Sequence, residues 1–216
     1  MVTETKSFKY YDRFYATGGW KYRPWREKMF LKRRIIKPLL LEKGRRVLEI
    51  GCGMGYHSHL LHKLGFTVVG VDNSEVGIAY AREHFKGPRY LAADAAELGK
   101  ELERESFDII YVRGMSWYHY ELTGVNKHGI DVPAATGEFF TFLKPGGVFV
   151  LQIKTDFSGS KTKDAVHYNS LNDYISLFER FGKIDYISDW RGRILQDDAA
   201  ARESGRSIII ATRKEP

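Results

Sequence analysis

The stretch Val47-Leu48-Glu49-Ile50-Gly51-Cys52-Gly53-Met54-Gly55-Tyr56-His57-Ser58 constrains the fold more than any other part of the chain. Val47 to Ile50 read as a buried strand, three glycines follow at alternate positions, and a helix-like segment comes next. A chain that leaves a strand and turns at once into a helix needs left-handed backbone or close approach somewhere, and glycine supplies both at least cost. The helix then turns free N–H groups and the positive end of its dipole toward a ligand over the turn, which favours phosphate or carboxylate. A nucleotide-like ligand lying against bare main chain is the expectation. Ordinary strand-to-helix turns also use glycine, so the neighbours matter. Glu49 lies two residues ahead, and Asp72 ends the next apolar run at roughly the spacing of a ribose-binding carboxylate.

Strand and helix alternate beyond the turn. Helix is expected over His57 to Leu64, strand over Thr67 to Asp72, and helix over Glu75 to Phe85, broken by Gly87-Pro88. A short strand, Arg89 to Ala92, leads to Asp94, and Phe107 to Val112 is a strong fourth strand. A helix near Ala134 to Phe142 precedes the turn Lys144-Pro145-Gly146-Gly147, the apolar strand Val148 to Ile153, a long loop from about Asp156 to Tyr168, and a helix from Leu171 to Phe181 capped by Gly182. Ile184 to Trp190 and Ser207 to Thr212 read as two strands with no helix between them, an antiparallel hairpin at a sheet edge. The pattern predicts an α/β fold: a doubly wound, mostly parallel seven-stranded sheet with helices on both faces, binding its ligand beyond the carboxyl ends of the strands.

With 216 residues, 43% of them hydrophobic, the chain is large enough to bury a sizeable core and has no run long enough to cross a bilayer. Met1 to Lys9 lacks the apolar core of a secretory signal, so a soluble, cytoplasmic protein with no membrane partner is expected. Cys52 is the single cysteine, which excludes an internal disulfide, and no Cys/His spacing resembles a zinc site, so no metal is expected.

The net charge of +7 is unevenly placed: residues 1–46 carry +10 and the remainder −3. Residues 8–30 interleave aromatic and basic side chains around Gly18-Gly19. Such a mixture can stack on bases and neutralise phosphates, or it can pack as an arm over a ligand cleft with its cations in solvent. Pro24 and the spacing of Phe30, Leu31, Ile35, Ile36, Leu39 and Leu40 predict an amphipathic helix over about residues 25–41, kinked or ended by Pro38. The expected organisation is an N-terminal arm with lid helices over residues 1–44, packed on a main domain over residues 45–216.

Over roughly residues 45–213 the chain resembles the class I S-adenosylmethionine-dependent methyltransferases. The resemblance rests on Glu49-x-Gly51-x-Gly53-x-Gly55, Val71-Asp72, Ala93-Asp94-Ala95, Phe107-Asp108 and Leu143-Lys144-Pro145-Gly146-Gly147, in that order. A dinucleotide-binding dehydrogenase would carry Gly-x-Gly-x-x-Gly to hold a pyrophosphate. The resemblance implies S-adenosyl-L-methionine as cofactor and S-adenosyl-L-homocysteine as product. Gly51, Cys52, Gly53 and Gly55 would line the methionine part, with Glu49 orienting the turn or reaching the amino group through water. Asp72 would accept from both ribose hydroxyls, Asn73 would line the adenine, and Asp94 and Ala95 would bind the adenine amino group and ring.

Arg113 and Gly114 fall where this family meets the reacting methyl group. The segment Arg113-Gly114-Met115-Ser116-Trp117-Tyr118-His119-Tyr120 lacks the Asn/Asp-Pro-Pro-Tyr/Phe motif typical of enzymes that methylate exocyclic base or glutamine nitrogens. A small-molecule acceptor carrying a hydroxyl, thiol or amine is therefore expected, with His119 as candidate base and Tyr118 and Arg113 beside it as catalytic candidates. Lys154, Asp156 and His167 flank the end of the fifth strand and could orient the acceptor. The aromatic arm is expected to close as a lid and bring Tyr11, Phe14 or Trp20 to the sulfonium cation. RNA as substrate for the basic segment, and a non-catalytic cofactor-binding subunit, are the alternatives; oligomeric state is left open.

Overall fold

The computed structural model describes residues 8–120, 122, 129–154, 169–204 and 207–215. In chain order these form α1 (Phe8–Ala16), α2 (Pro24–Leu31), β1 (Arg46–Ile50), α3 (Tyr56–Lys63), β2 (Thr67–Asp72), α4 (Glu75–His84), β3 (Arg89–Ala92), β4 (Phe107–Arg113), α5 (Trp117–Tyr120), α6 (Val132–Thr141), β5 (Leu143–Lys154), α7 (Leu171–Phe178), β6 (Lys183–Asp189), α8 (Asp198–Ser204) and β7 (Ser207–Arg213). One seven-stranded sheet has the order β3-β2-β1-β4-β5-β7-β6. The chain divides within β4 into two compact units, Met1–Ile110 and Tyr111–Pro216.

In the first unit, β1 pairs with β2 and β2 with β3, all parallel, with Ile50 opposite Val71 and Asp72 opposite Ala92. Every residue of β1 and β2 after the first is buried, the continuous apolar run expected of strands covered on both faces. Helix α4 starts at Ser74, whose hydroxyl accepts from the Gly77 N–H at 3.0 Å. On α2 and its continuation, Leu31, Ile35 and Leu39 recur every fourth residue and are buried, each contributing about 1.5–3 kcal/mol. Asp108 ties the start of β4 to β1 by accepting from the Arg46 N–H at 2.8 Å.

The expected 25–41 helix is α-helical only to Leu31 and then widens into a π-helical turn, Lys32–Ile36. Lys37 donates to the Lys32 carbonyl, five residues back, at 3.0 Å. Pro38 accounts for this: it has no N–H to give, and its ring clashes with the carbonyl of residue 34 in a regular helix.

In the second unit, β7 lies between β5 and β6 and is antiparallel to both. The reversed strand is thus interior, and β6, the edge strand, runs parallel to β5. The two closing strands are also not a simple hairpin, because α8 stands between them. Its sequence, Asp-Ala-Ala-Ala-Arg-Glu-Ser, gives little apolar period; Ala201 is its buried contact. The Lys144-Pro145-Gly146-Gly147 turn is the leading end of β5, ahead of the part that pairs from Val148 onward. Arg213 and Lys214 hold it, donating to the carbonyls of Gly146 at 2.9 Å and Leu143 at 2.7 Å. Phe139, Phe140, Phe149 and Phe178 form a buried aromatic core with ring centroids 5.1–6.5 Å apart, and α7 begins with a reciprocal cap between Ser170 and Asp173.

Candidate functional site

The glycine turn after β1 is closed upon itself. The N–H groups of Gly51 and Cys52 both donate to the Val71 carbonyl, at 2.8 and 2.9 Å, and Gly55 donates to the Cys52 carbonyl at 2.9 Å. Gly53 donates to Asp72 Oδ2 at 2.7 Å, while Asp72 Oδ1 accepts from Ser74 N–H at 2.9 Å. All three glycines have left-handed backbone, φ +77, +53 and +76 for Gly51, Gly53 and Gly55. The sequence pointed to the free N–H groups of the following helix as donors to a phosphate or carboxylate; the four N–H groups of the turn itself, those of Gly51, Cys52, Gly53 and Gly55, are consumed inside it. The turn therefore offers glycine surface and carboxylate acceptors, a surface suited to a ligand rich in donors and lacking phosphate.

Glu49 and Asp72 are buried carboxylates on neighbouring strands. Glu49 Oε2 accepts from the Ser58 hydroxyl at 2.5 Å, linking β1 to the helix that follows the turn. Burial holds the Asp72 carboxyl above the ordinary carboxylate range, partly offset by its two backbone donors. Burial likewise pushes the Cys52 thiol well up, with Asp72 and Glu49 adding to the shift. Cys52 packs with Ile78, Ala81 and Tyr90, so it is a wall of the turn. Asp94 caps the short 3-10 helix Ala95–Lys100, its Oδ1 accepting from Ala96 N–H at 2.9 Å; Asp94 and Ala95 are half-buried and Asn73 is exposed.

The arm is docked against this turn, through residues the sequence did not single out. Asp12 Oδ1 accepts from the Ser74 hydroxyl at 2.5 Å. The Tyr15 ring lies over the glycines: a methyl group added at Gly53 would stand 2.7 Å from the Tyr15 hydroxyl, and one at Gly77 would stand 3.0 Å from its ring. Burial, with Asp72 nearby, pushes the Tyr15 phenol far up. Tyr11 stacks on Tyr15 at 6.1 Å, whereas Trp20 rests on Phe14 at 5.1 Å and is 62% exposed. The hint in the sequence was the one-face spacing of Tyr11, Asp12 and Tyr15 on a helix. Further along, Glu27 Oε2 meets His57 Nε2 at 3.2 Å, and Tyr22 lies edge-on to the His57 ring at 4.8 Å.

The acceptor-side candidates lie in the second unit. Arg113 is half-buried at the end of β4, and the Gly114 N–H donates to the Gln152 carbonyl at 2.9 Å. Tyr118, 1% exposed, shares a hydrogen bond with Thr136 at 3.0 Å, and burial raises its phenol. Its carbonyl accepts from Asn169 Nδ2 at 2.7 Å and from the Tyr174 hydroxyl at 3.1 Å. This network fixes α5 and was invisible in the sequence, since its members lie up to 56 residues apart. His119 follows on α5 and is half-buried. Lys154 is exposed at the end of β5; Asp156, His167, the rest of the 156–168 loop and the Tyr120 side chain lie outside the described residues.

The fold is an α/β domain whose glycine turn, after its first strand, presents glycine surface and the carboxylates of Glu49 and Asp72. A family model described as a methyltransferase domain matches residues 41–190, and the chain belongs to the class I S-adenosylmethionine-dependent methyltransferases. It is 32% identical over 115 residues to trans-aconitate 2-methyltransferase of Delftia acidovorans, covering 52% of this chain and 39% of that protein. It is 35% identical over 119 residues to a ubiquinone biosynthesis O-methyltransferase of Bradyrhizobium sp., covering 55% and 43%. The chain thus spans less than half the length of these two curated relatives. Phosphoethanolamine N-methyltransferase 2 of Haemonchus contortus, solved in complex with S-adenosyl-L-methionine, shares the fold at a TM-score of 0.66 and 18% identity, over 99% of this chain and 59% of that one.

The cradle fits the family's cofactor. Each Asp72 oxygen accepts one backbone N–H, which leaves a lone pair on each for a ribose hydroxyl. A methyl group added at Gly51 would meet nothing within 4 Å, so the turn has open space on that side.

Proposed function

We propose that this chain transfers a methyl group from S-adenosyl-L-methionine to a small-molecule acceptor. The observation that carries this is the inward-turned glycine loop with Asp72 at its centre, which suits a ribose and an amino acid better than a pyrophosphate. When bound, the cofactor supplies an electrophilic methyl carbon on a sulfonium. Asp72 orients the ribose through its two oxygens, Gly51, open on its outer side, allows close approach of the methionine part, and Asp94 with Ala95 receives the adenine. Glu49 holds the turn through Ser58. Tyr15 covers the turn and limits water, with Tyr11 stacked behind it, and its ring face favours the cation.

On the acceptor side the resemblance points to Arg113, and residue chemistry adds Tyr118 and His119 as candidates beside it. With its hydroxyl taken up by Thr136, Tyr118 sets the course of the segment, and proton acceptance falls to the His119 imidazole. The relatives' functions, on trans-aconitate, in ubiquinone biosynthesis and on phosphoethanolamine, support a small acceptor without choosing its nucleophile. A dedicated base is not obligatory where holding the nucleophile in line supplies most of the acceleration. Release of S-adenosyl-L-homocysteine is followed across pools of carboxylic acids, phenols, thiols, amines and mixed RNA. Turnover with a small-molecule pool is expected; turnover confined to RNA, or none with any pool, overturns the proposal.

A further inference from the structure

Among the described residues, the helix that runs from Pro24 has an exposed outer side. Among the described residues of the first unit, the three most exposed large apolar side chains are Trp20, Trp25 and Leu40, at 62%, 67% and 84%. All fall within residues 20–40, which hold eight Lys or Arg and one acid, Glu27. That acid points inward to His57. Leu31 and Ile35 mark the buried side of the helix, and Trp25, Arg26, Lys32 and Arg33 are exposed. Lys32 and Arg33 follow Trp25 by seven and eight residues, two helical turns, which places all three on one side. Lys37 and Leu40 continue the exposed run at the helix end.

We infer that this outer side of residues 20–40 is a docking surface for an anionic phospholipid bilayer, on which the protein lies peripherally. An exposed tryptophan on the cationic helix side and an exposed leucine in the turn after it suit an interfacial contact: the apolar groups enter the headgroup boundary while the long basic side chains reach the phosphates. Charge complementarity selects an anionic surface, each basic residue near it adding to the attraction. Two features favour lipid over RNA. The Arg26 guanidinium already lies over the Trp25 ring at 5.9 Å, where a base would stack, and Leu40 has no π-face to offer. Among the described residues no helix is long and apolar enough to cross a membrane, so the contact is with the surface.

The test is sedimentation of the full chain with vesicles of phosphatidylglycerol and phosphatidylcholine, against vesicles of phosphatidylcholine alone, at low and physiological salt. Parallel titrations use mixed single-stranded RNA. Binding is expected to the anionic vesicles, to weaken with salt, and to fall roughly fivefold for each cation neutralised in Lys32→Gln and Arg33→Gln. Trp25→Ala with Leu40→Ser, both exposed, should lower partition while leaving the thermal unfolding midpoint unchanged. Absence of binding to anionic vesicles, equal binding to neutral ones, indifference to these substitutions, or tighter binding to RNA than to vesicles overturns the inference.

Discussion

Asp72 and Gly53 are joined by a hydrogen bond of 2.7 Å from the glycine N–H to the aspartate Oδ2. The residue at the end of β2 therefore holds the turn at the end of β1, and the carboxylate proposed to bind ribose is also the one that shapes the loop. Its raised proton affinity follows from burial. Because the folded pKa is above the unfolded value of 3.8, Asp72 contributes stability that is full below 3.8 and lost as pH rises through the folded pKa. Ligand binding has the opposite sign, since the ribose needs the ionised acceptor. Affinity for S-adenosyl-L-homocysteine, measured by calorimetry, should fall on acidification with a midpoint above the ordinary carboxylate range. In urea titrations, the stability gap between wild type and Asp72→Asn should move in favour of the variant from acid to neutral pH.

Gly55 combines left-handed backbone, φ +76, with tight packing. An added methyl would stand 2.7 Å from the Ala81 Cβ and 2.8 Å from the Tyr90 ring. Gly55→Ala should cost about 2–5 kcal/mol, the sum of a left-handed residue and an overpacked contact. Gly51→Ala, with open space around it, should cost about 1–2 kcal/mol, the backbone part alone. Equal costs in urea unfolding would show that packing at Gly55 yields freely.

Tyr15 offers its ring where a sulfonium is proposed to lie. Tyr15→Ala should weaken S-adenosyl-L-methionine binding roughly three- to thirtyfold and the neutral product less. Hydrogen exchange should show residues 8–25 gaining protection when the cofactor binds. Equal losses for both ligands, or unchanged exchange in the arm, would remove the proposed lid.

Cys52 is a buried thiol whose pKa is pushed well above 9.0. Iodoacetamide should leave it unmodified in the native protein at mildly alkaline pH and alkylate it in urea. Rapid native modification, read by mass spectrometry, would place the thiol at the surface.

The first unit was largely legible because its signals are local: a glycine turn straight after an apolar strand, and acids closing the next apolar runs, lie within a few residues of what they specify. Thr67–Asp72 and Arg89–Ala92 are strands with the expected bounds. What stayed hidden depends on tertiary pairing. The one-face spacing of Tyr11, Asp12 and Tyr15 hints at a packed helix side, but only the tertiary pairing shows that Tyr15 is the ring over the turn and that Asp12 meets Ser74, 62 residues away. The same holds for the Tyr118, Asn169 and Tyr174 network. Helix α8 was missed because a single buried alanine gives no period, and the place of β7 inside the sheet cannot be read from strand order along the chain.

The most direct test is calorimetric titration of S-adenosyl-L-homocysteine into the full chain and into Asp72→Ala, with unfolding midpoints measured alongside. Saturable one-to-one binding by the wild type, lost or weakened at least tenfold in a variant that remains folded, is the predicted result. No binding by the wild type, or equal affinity in the folded variant, would contradict the central claim that this turn and its aspartate form the cofactor cradle.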